Sequence, residues 1–289
     1  MILCVAPNPS IDKLFEVERL EPGAIHRPTA FTQVPGGKGL NVARAAATLG
    51  ADVHVVALLG GHAGRWIADE LHLPLTAVWR SGETRSCLSI ADGSSLTEFY
   101  ESGSEISADV WAEFVQTVAE LAVSAKWTAI SGSLPPGAAR YGDLVTTENV
   151  AVDSPAIGGA KPALLKVNLA EARALVGDDS ADAMTLAVEL RQRTRGAAVV
   201  TAGVEGAAAV TPDGEELRGS LAAAGAYPVG SGDAFLAGLL VALHRGESWS
   251  DALRAALGAG AANADVPGAG VLARDRAETL AERARVERM

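Results

Sequence analysis

The chain has 289 residues, 48% of them hydrophobic and 20% charged, and a formal net charge of −11. That length and apolar fraction suffice for a large core and predict one α/β domain over residues 1–289. The acidic balance argues against nonspecific binding to nucleic acid or to an anionic membrane surface, both of which need a basic stripe. No run approaches the roughly 18–20 apolar residues of a membrane span.

In chain order, the apolar start Met1 to Ala6 is cut by Pro7 and Pro9 and has no basic residues before it, so Ile2 to Ala6 reads as a first strand and not as a targeting segment. Ile11 to Val34 alternates polar and apolar residues without a helical stretch, as does Thr84 to Tyr100, and the two are expected to form a small separate sheet acting as a lid. Between them Leu40, Val42, Ala43, Ala46, Ala47 and Leu49 make one helical stripe closed by Gly50, and Val53 to Leu59 reads as a buried strand. Ser107 is a plausible N-cap for a helix through Val110, Trp111, Phe114, Val118 and Leu121. Trp127 to Ser131, Val150 to Asp153, Ala163 to Val167 and Ala197 to Thr201 complete the predicted central strands. Asp233 to His244, Ser248 to Asn263 and Arg274 to Arg288 have helical spacing, with breaks at Gly246 and Pro267-Gly268. Strands alternating with helices predict a mostly parallel sheet covered by helices. Cys4 and Cys87 both lie in apolar stretches, so buried thiols in a reducing cytoplasm are expected and a disulfide framework is not.

Two glycine segments could carry chemistry. Pro228-Val229-Gly230-Ser231-Gly232-Asp233 runs straight into a helix, where unpaired amides and the positive end of the helix dipole favour an anion; Asp233, expected to be ionised there, could take a proton from a hydroxyl. Taken alone, the segment reads somewhat better as a tight turn with a capping aspartate. Pro35-Gly36-Gly37-Lys38-Gly39-Leu40-Asn41 also enters a helix, but it is neither a P-loop, since Gly39 follows the lysine, nor a dinucleotide fingerprint. A glycine-rich helix cap with an exposed lysine is its simpler reading. The histidines (His26, His54, His62, His72, His244) have no metal-ligand spacing, and Ser131-Gly132-Ser133-Leu134-Pro135-Pro136-Gly137 lacks the nucleophile-elbow pattern and reads as a strand end with a loop.

Together, in this order, the two segments resemble the two signatures of the PfkB family of carbohydrate kinases, with its ribokinase-like fold. The likeness extends to Asn8-Pro9-Ser10-Ile11-Asp12, Thr84-Arg85, Thr97-Glu98, the Ser131–Gly137 loop, Lys166-Val167-Asn168-Leu169-Ala170-Glu171 and Thr201-Ala202-Gly203-Val204-Glu205-Gly206. It is greatest to the branch containing 1-phosphofructokinase and tagatose-6-phosphate kinase. The resemblance implies ATP and Mg²⁺ as cofactors, Asp233 as general base, and the amides of Gly230, Ser231 and Gly232 as the anion hole. It implies sugar contacts from Asp12, Gly36, Gly37 and Asn41, and contacts to the substrate phosphate from Lys38 and Arg85 with Ser133. Lys166, Asn168 and Glu171 would steady the ATP phosphates and the water shell of Mg²⁺, with no direct metal ligand. Thr201, Gly203 and Gly206 would line the nucleotide loop, and Asn263 would lie near adenine. Relatives of this kind commonly dimerise through the lid. The stretch Ala138 to Val152 is shorter than the family's crossover helix, so a single turn or no helix is expected there. The acceptor is read as fructose 1-phosphate, with tagatose 6-phosphate as the alternative and a kinase-like binding protein without turnover as a third reading.

Overall fold

A computed structural model describes residues 1–223 and 225–289. Apolar runs with alternating side chains build its main sheet. In β1 (Ile2–Ala6), Ile2, Cys4 and Ala6 enter one core while Leu3 and Val5 enter the other, as a strand covered on both faces requires. Next come β2 (Ser10–Glu16), β3 (Ala30–Gly36), α1 (Lys38–Thr48), β4 (Val53–Gly60), α2 (Gly61–Glu70) and β5 (Leu75–Arg80). They are followed by β6 (Arg85–Ala91), β7 (Leu96–Tyr100), α3 (Ala108–Ala122), β8 (Trp127–Ser131), β9 (Val150–Asp153), β10 (Leu164–Asn168), α4 (Leu169–Val176) and α5 (Ala183–Arg191). The last third holds β11 (Ala197–Thr201), β12 (Ala207–Val210), β13 (Glu216–Ser220), α6 (Ser231–Arg245), α7 (Trp249–Ala264), α8 (Arg274–Arg283) and β14 (Arg285–Arg288).

The ten-stranded sheet has the order β14-β13-β12-β11-β10-β9-β8-β1-β4-β5. Every pairing from β5 across to β11 is parallel, and the last three strands add antiparallel at one edge. The carboxyl ends of the parallel strands therefore share one edge of the sheet, where open α/β folds hold their ligands. Helices α1, α2, α6, α7 and α8 cover one face, and α3, α4 and α5 the other. Ser107 caps α3 by accepting from the Val110 amide, as its position before the apolar stripe predicts. The two lid segments form a four-stranded sheet, β3-β2-β6-β7, in which β2 and β6 run parallel. Among the described residues no helix is long and apolar enough to cross a membrane, and both cysteines are free and buried.

One local reading changes. The helical spacing of Arg274 to Arg288 ends at Arg283: Ala284 is extended, and Arg285–Arg288 pairs antiparallel with β13. Arginine and glutamate spaced for a helix face also suit a charged edge strand, which resists pairing with other chains. Between β8 and β9, where a single turn or no helix is expected, the chain forms one 3₁₀ turn, Tyr141–Leu144, whose buried Tyr141 and Leu144 plug the face that a helix would cover.

Candidate active site

Asp12 lies on β2, shortly beyond the end of β1. Its carboxylate accepts from the Ser10 hydroxyl at 2.5 Å and the Gly37 amide at 3.2 Å. A Cβ at Gly36 would lie 2.1 Å from the Asp12 carboxyl carbon, so glycine there makes room for the acid. Burial raises the Asp12 pKa, an effect only partly offset by Ser10, Gly37, Arg44 and Arg85. Gly37, at φ 88°, turns the chain into α1 in a conformation that other residues rarely adopt.

Helix α1 carries Lys38 and Asn41 on one face, three residues apart. Asn41 is buried and donates through Nδ2 to Asp233 Oδ2 at 2.9 Å, the bond that joins the two glycine segments. The Lys38 ammonium lies 3.4 Å from Asp153 and 3.5 Å from Glu171. Burial alone would lower its pKa, but Asp153, Asp233 and Glu171 outweigh this and raise it. Asp153 ends β9, is fully buried, and binds Lys166 Nζ at 2.9 Å on the adjacent strand β10. Desolvation works against its charge, yet Lys166 and Lys38 hold its pKa below the usual carboxylate value. Two ammoniums thus share one carboxylate, and a buried charge is tolerable when paired in this way.

Gly230, at φ 82°, starts α6 in the left-handed region and packs so closely that a Cβ would lie 2.6 Å from Ala269 Cα. At Gly232 a Cβ would lie 2.9 Å from Lys166 Nζ, so the lysine head reaches the underside of the turn. The expected trio of amides is not fully available. Ser231 N–H donates to the Pro228 carbonyl at 3.1 Å, closing the turn, whereas the Gly230, Gly232 and Asp233 amides have no acceptor among the described residues. Asp233 is 5% exposed. Its pKa is pushed up to about 7, first by burial and then by Asp153, against the pull of Lys38, Asn41 and Lys166. The expectation of a simply ionised first-turn acid is therefore corrected: in the ligand-free site the carboxyl titrates near neutrality.

The remaining predicted residues divide into three groups. Arg85 starts β6 of the smaller sheet, its guanidinium donating to the Asn8 carbonyl at 3.2 Å and the Glu101 carbonyl at 2.9 Å. Ser133 Oγ accepts from Asn8 Nδ2 at 3.2 Å. On the other side, Asn168 and Glu171 form a reciprocal capping box at the start of α4, each bond 2.9 Å. Thr201 ends β11, and Gly203 and Gly206 bound the short turn after it. Asn263 is fully buried, donating to the Val229 carbonyl at 2.9 Å and accepting from the Gly270 amide at 2.7 Å. With its amide bonded to both loops, Asn263 braces the glycine turn.

Sequence reasoning missed Asp153 and Arg44. Asp153 had a signal: an acid closing the apolar run Val150-Ala151-Val152 at a strand's carboxyl end must be paired if buried. Among the described residues no group of three histidine, cysteine, aspartate or glutamate side chains converges to hold a metal.

The chain matches the pfkB family of carbohydrate kinases over residues 6–147 and 150–276. It belongs to that family. It is 33% identical over 269 residues to the 1-phosphofructokinase of Haloferax volcanii, covering 88% of each chain. Its fold is similar to that of phosphofructokinase-2 from Escherichia coli in complex with potassium (TM-score 0.87, 24% identity, 97% of this chain and 98% of that one). It is also similar to ribokinase from Arabidopsis thaliana complexed with ribose and ATP (TM-score 0.74, 20% identity, 97% and 98%). The protein is a carbohydrate kinase with a ribokinase-like fold.

Proposed function

We propose that this kinase transfers the γ-phosphoryl group of ATP to fructose 1-phosphate, giving fructose 1,6-bisphosphate and ADP, with Asp233 as general base. The observation that carries the reading is the buried Asp233 carboxyl at the head of α6, bonded to Asn41 and titrating near neutrality. A base poised at working pH can take the hydroxyl proton as the oxygen attacks phosphorus. Free amides of Gly230 and Gly232 at a helix start, with Lys166 beneath and Lys38 beside, supply the positive field that a transferring phosphoryl group requires. Asp12 and Asn41 take sugar hydroxyls. Arg85, its backbone contacts leaving Nη2 free, meets the substrate's own phosphate. Lys38, grouped with Asp153 and Glu171, serves the transferring phosphoryl group more directly than the distal phosphate.

The donor set suits a hydrated Mg²⁺ held through ATP oxygens, because Asp153 and Glu171 stand nearby while Asn168 and Glu171 already cap α4. When bound, that ion would neutralise charge on the phosphates. Exposed Phe31, Phe99 and Tyr100 on the smaller sheet support a homodimer through the lid, and free buried thiols support a reducing cytoplasm.

The identity of the acceptor is tested by coupled ADP release with fructose 1-phosphate, fructose 6-phosphate, tagatose 6-phosphate, fructose and ribose. The expected outcome is the highest kcat/KM with fructose 1-phosphate. A higher value with tagatose 6-phosphate would reassign the acceptor, and no ADP from any of the five would overturn the kinase reaction.

A further inference from the structure

Arg44 lies one helical turn beyond Asn41 on α1 and is not exposed to solvent like an ordinary surface arginine. Its Nη1 donates to Asn41 Oδ1 at 3.3 Å and to the Ala269 carbonyl at 2.5 Å, and its Nη2 donates to the Pro35 carbonyl. These three acceptors belong to two pieces that must be in register: the first glycine segment, through Pro35 and the asparagine that touches the base, and the loop before α8. That loop is wedged between the two glycine segments. A Cβ on Gly270 would lie 2.5 Å from the Asn41 carbonyl oxygen, and one on Gly230 would lie 2.7 Å from the Gly270 nitrogen. Asn263 holds the same loop from the far side through the Gly270 amide.

The chemistry of an amide makes the arrangement directional. Asn41 has one end that only accepts and one that only donates. With Arg44 on its oxygen, its NH₂ faces the Asp233 carboxylate. Flipped, it would set oxygen against carboxylate and NH₂ against guanidinium, so both neighbours reject the wrong orientation.

We propose that Arg44 is a positioning residue for phosphoryl transfer: it fixes the Asn41 amide so that it donates to Asp233, and it ties the Ala269–Gly270 wedge to the first glycine segment. The inference rests on the reading of Asp233 as base. The groups facing Asp233 are Lys38 and Asn41 from α1, Asp153 from β9 and Lys166 from β10, with Arg44 behind Asn41 and attracted to both Asp12 and Asp233. Loss of Arg44 removes a cation and frees the amide, and both changes raise the pH at which Asp233 ionises.

The test uses the full chain with ATP and fructose 1-phosphate, comparing Arg44→Met, Arg44→Lys, Asn41→Ala, the Asn41→Ala/Arg44→Met double variant and Asp233→Asn. The ¹³C titration of the Asp233 carboxyl is followed without substrate. For Arg44→Met we expect kcat to fall roughly 10- to 100-fold, KM for ATP to stay near wild type, and the carboxyl midpoint to move to higher pH. The double variant should lose far less than the product of the two single losses, because Arg44 acts largely through Asn41. Arg44→Lys keeps the charge but not the three-way fork, so it should lose less turnover than Arg44→Met and move the midpoint upward by less; it decides the matter if Arg44→Met does not fold. Wild-type kcat and midpoint in the arginine variants, or multiplicative losses in the double variant, would overturn the inference. An active Asp233→Asn would instead remove the base reading itself, and the carboxyl titration reports on Arg44 even if fructose 1-phosphate is not the acceptor.

Discussion

The two sheets bury their residues differently. In the large sheet β1, β4, β8, β9, β10 and β11 are covered on both faces, and their carboxyl ends hold Asp153 and Lys166 beneath the glycine turn of α6. In the smaller sheet β2, β3 and β6 are largely half-buried and β7 is largely exposed, with Phe31 at 55%, Phe99 at 57% and Tyr100 at 60% exposure, and the sheet carries Asp12 and Arg85. Groups on the packed frame are fixed before substrate arrives, whereas groups on the thin sheet can adjust as it binds. On the proposed function, the difference gives turnover to the large sheet and substrate capture to the small one.

The sharpest break would come at Asp153. Asp153→Ala leaves the Lys166 ammonium buried without its carboxylate, so we expect a stability loss of about 3–5 kcal/mol and a kcat at least ~100-fold lower. Urea unfolding and steady-state rates check this. Arg85→Ala should act on the other side of the comparison, raising KM for the sugar phosphate roughly tenfold or more through the loss of a charge-assisted bond while kcat changes little. A fall in kcat with unchanged KM would merge the two regions. The smallest effect is expected from Phe99→Asp, which should shift sedimentation from dimer to monomer with less than about a threefold change in kcat.

The large sheet was legible because buried parallel strands are contiguous apolar runs; Ile2–Ala6, Val150–Asp153 and Ala197–Thr201 are visible to the residue. The antiparallel edge was not. Ala207–Val210 is alanine-rich and reads as helix, Glu216–Ser220 is polar, and Arg285–Arg288 continues a helical charge pattern until Ala284 turns it. Edge strands are fixed by their neighbours more than by their own composition. Leu75–Arg80 was missed for the related reason that only one of its sides is paired. In the site, the glycine turns and Asp233 were readable as motifs. The Arg44–Asn41–Asp233 chain was not, because its members meet only when two segments 192 residues apart come together. Asn263 illustrates the converse: its position was noted, but its hydrogen bonds give it to the loops.

The central claim is that Asp233 takes the acceptor's proton. Its carboxyl, raised to about 7, is protonated below that pH, so activity requiring the ionised form should be lost as pH falls through neutrality. The sign for stability is opposite: a native pKa above the unfolded value favours the fold at low pH and weakens it as the group ionises. Asp233→Asn should therefore leave the fold at least as stable above pH 7. The most direct measurement is the pH profile of kcat/KM for the wild type and Asp233→Asn with MgATP and fructose 1-phosphate. We predict a wild-type acid limb near neutrality and a variant slower by about 10²–10⁴-fold with that limb gone. The same limb in both proteins at comparable rates would contradict the account.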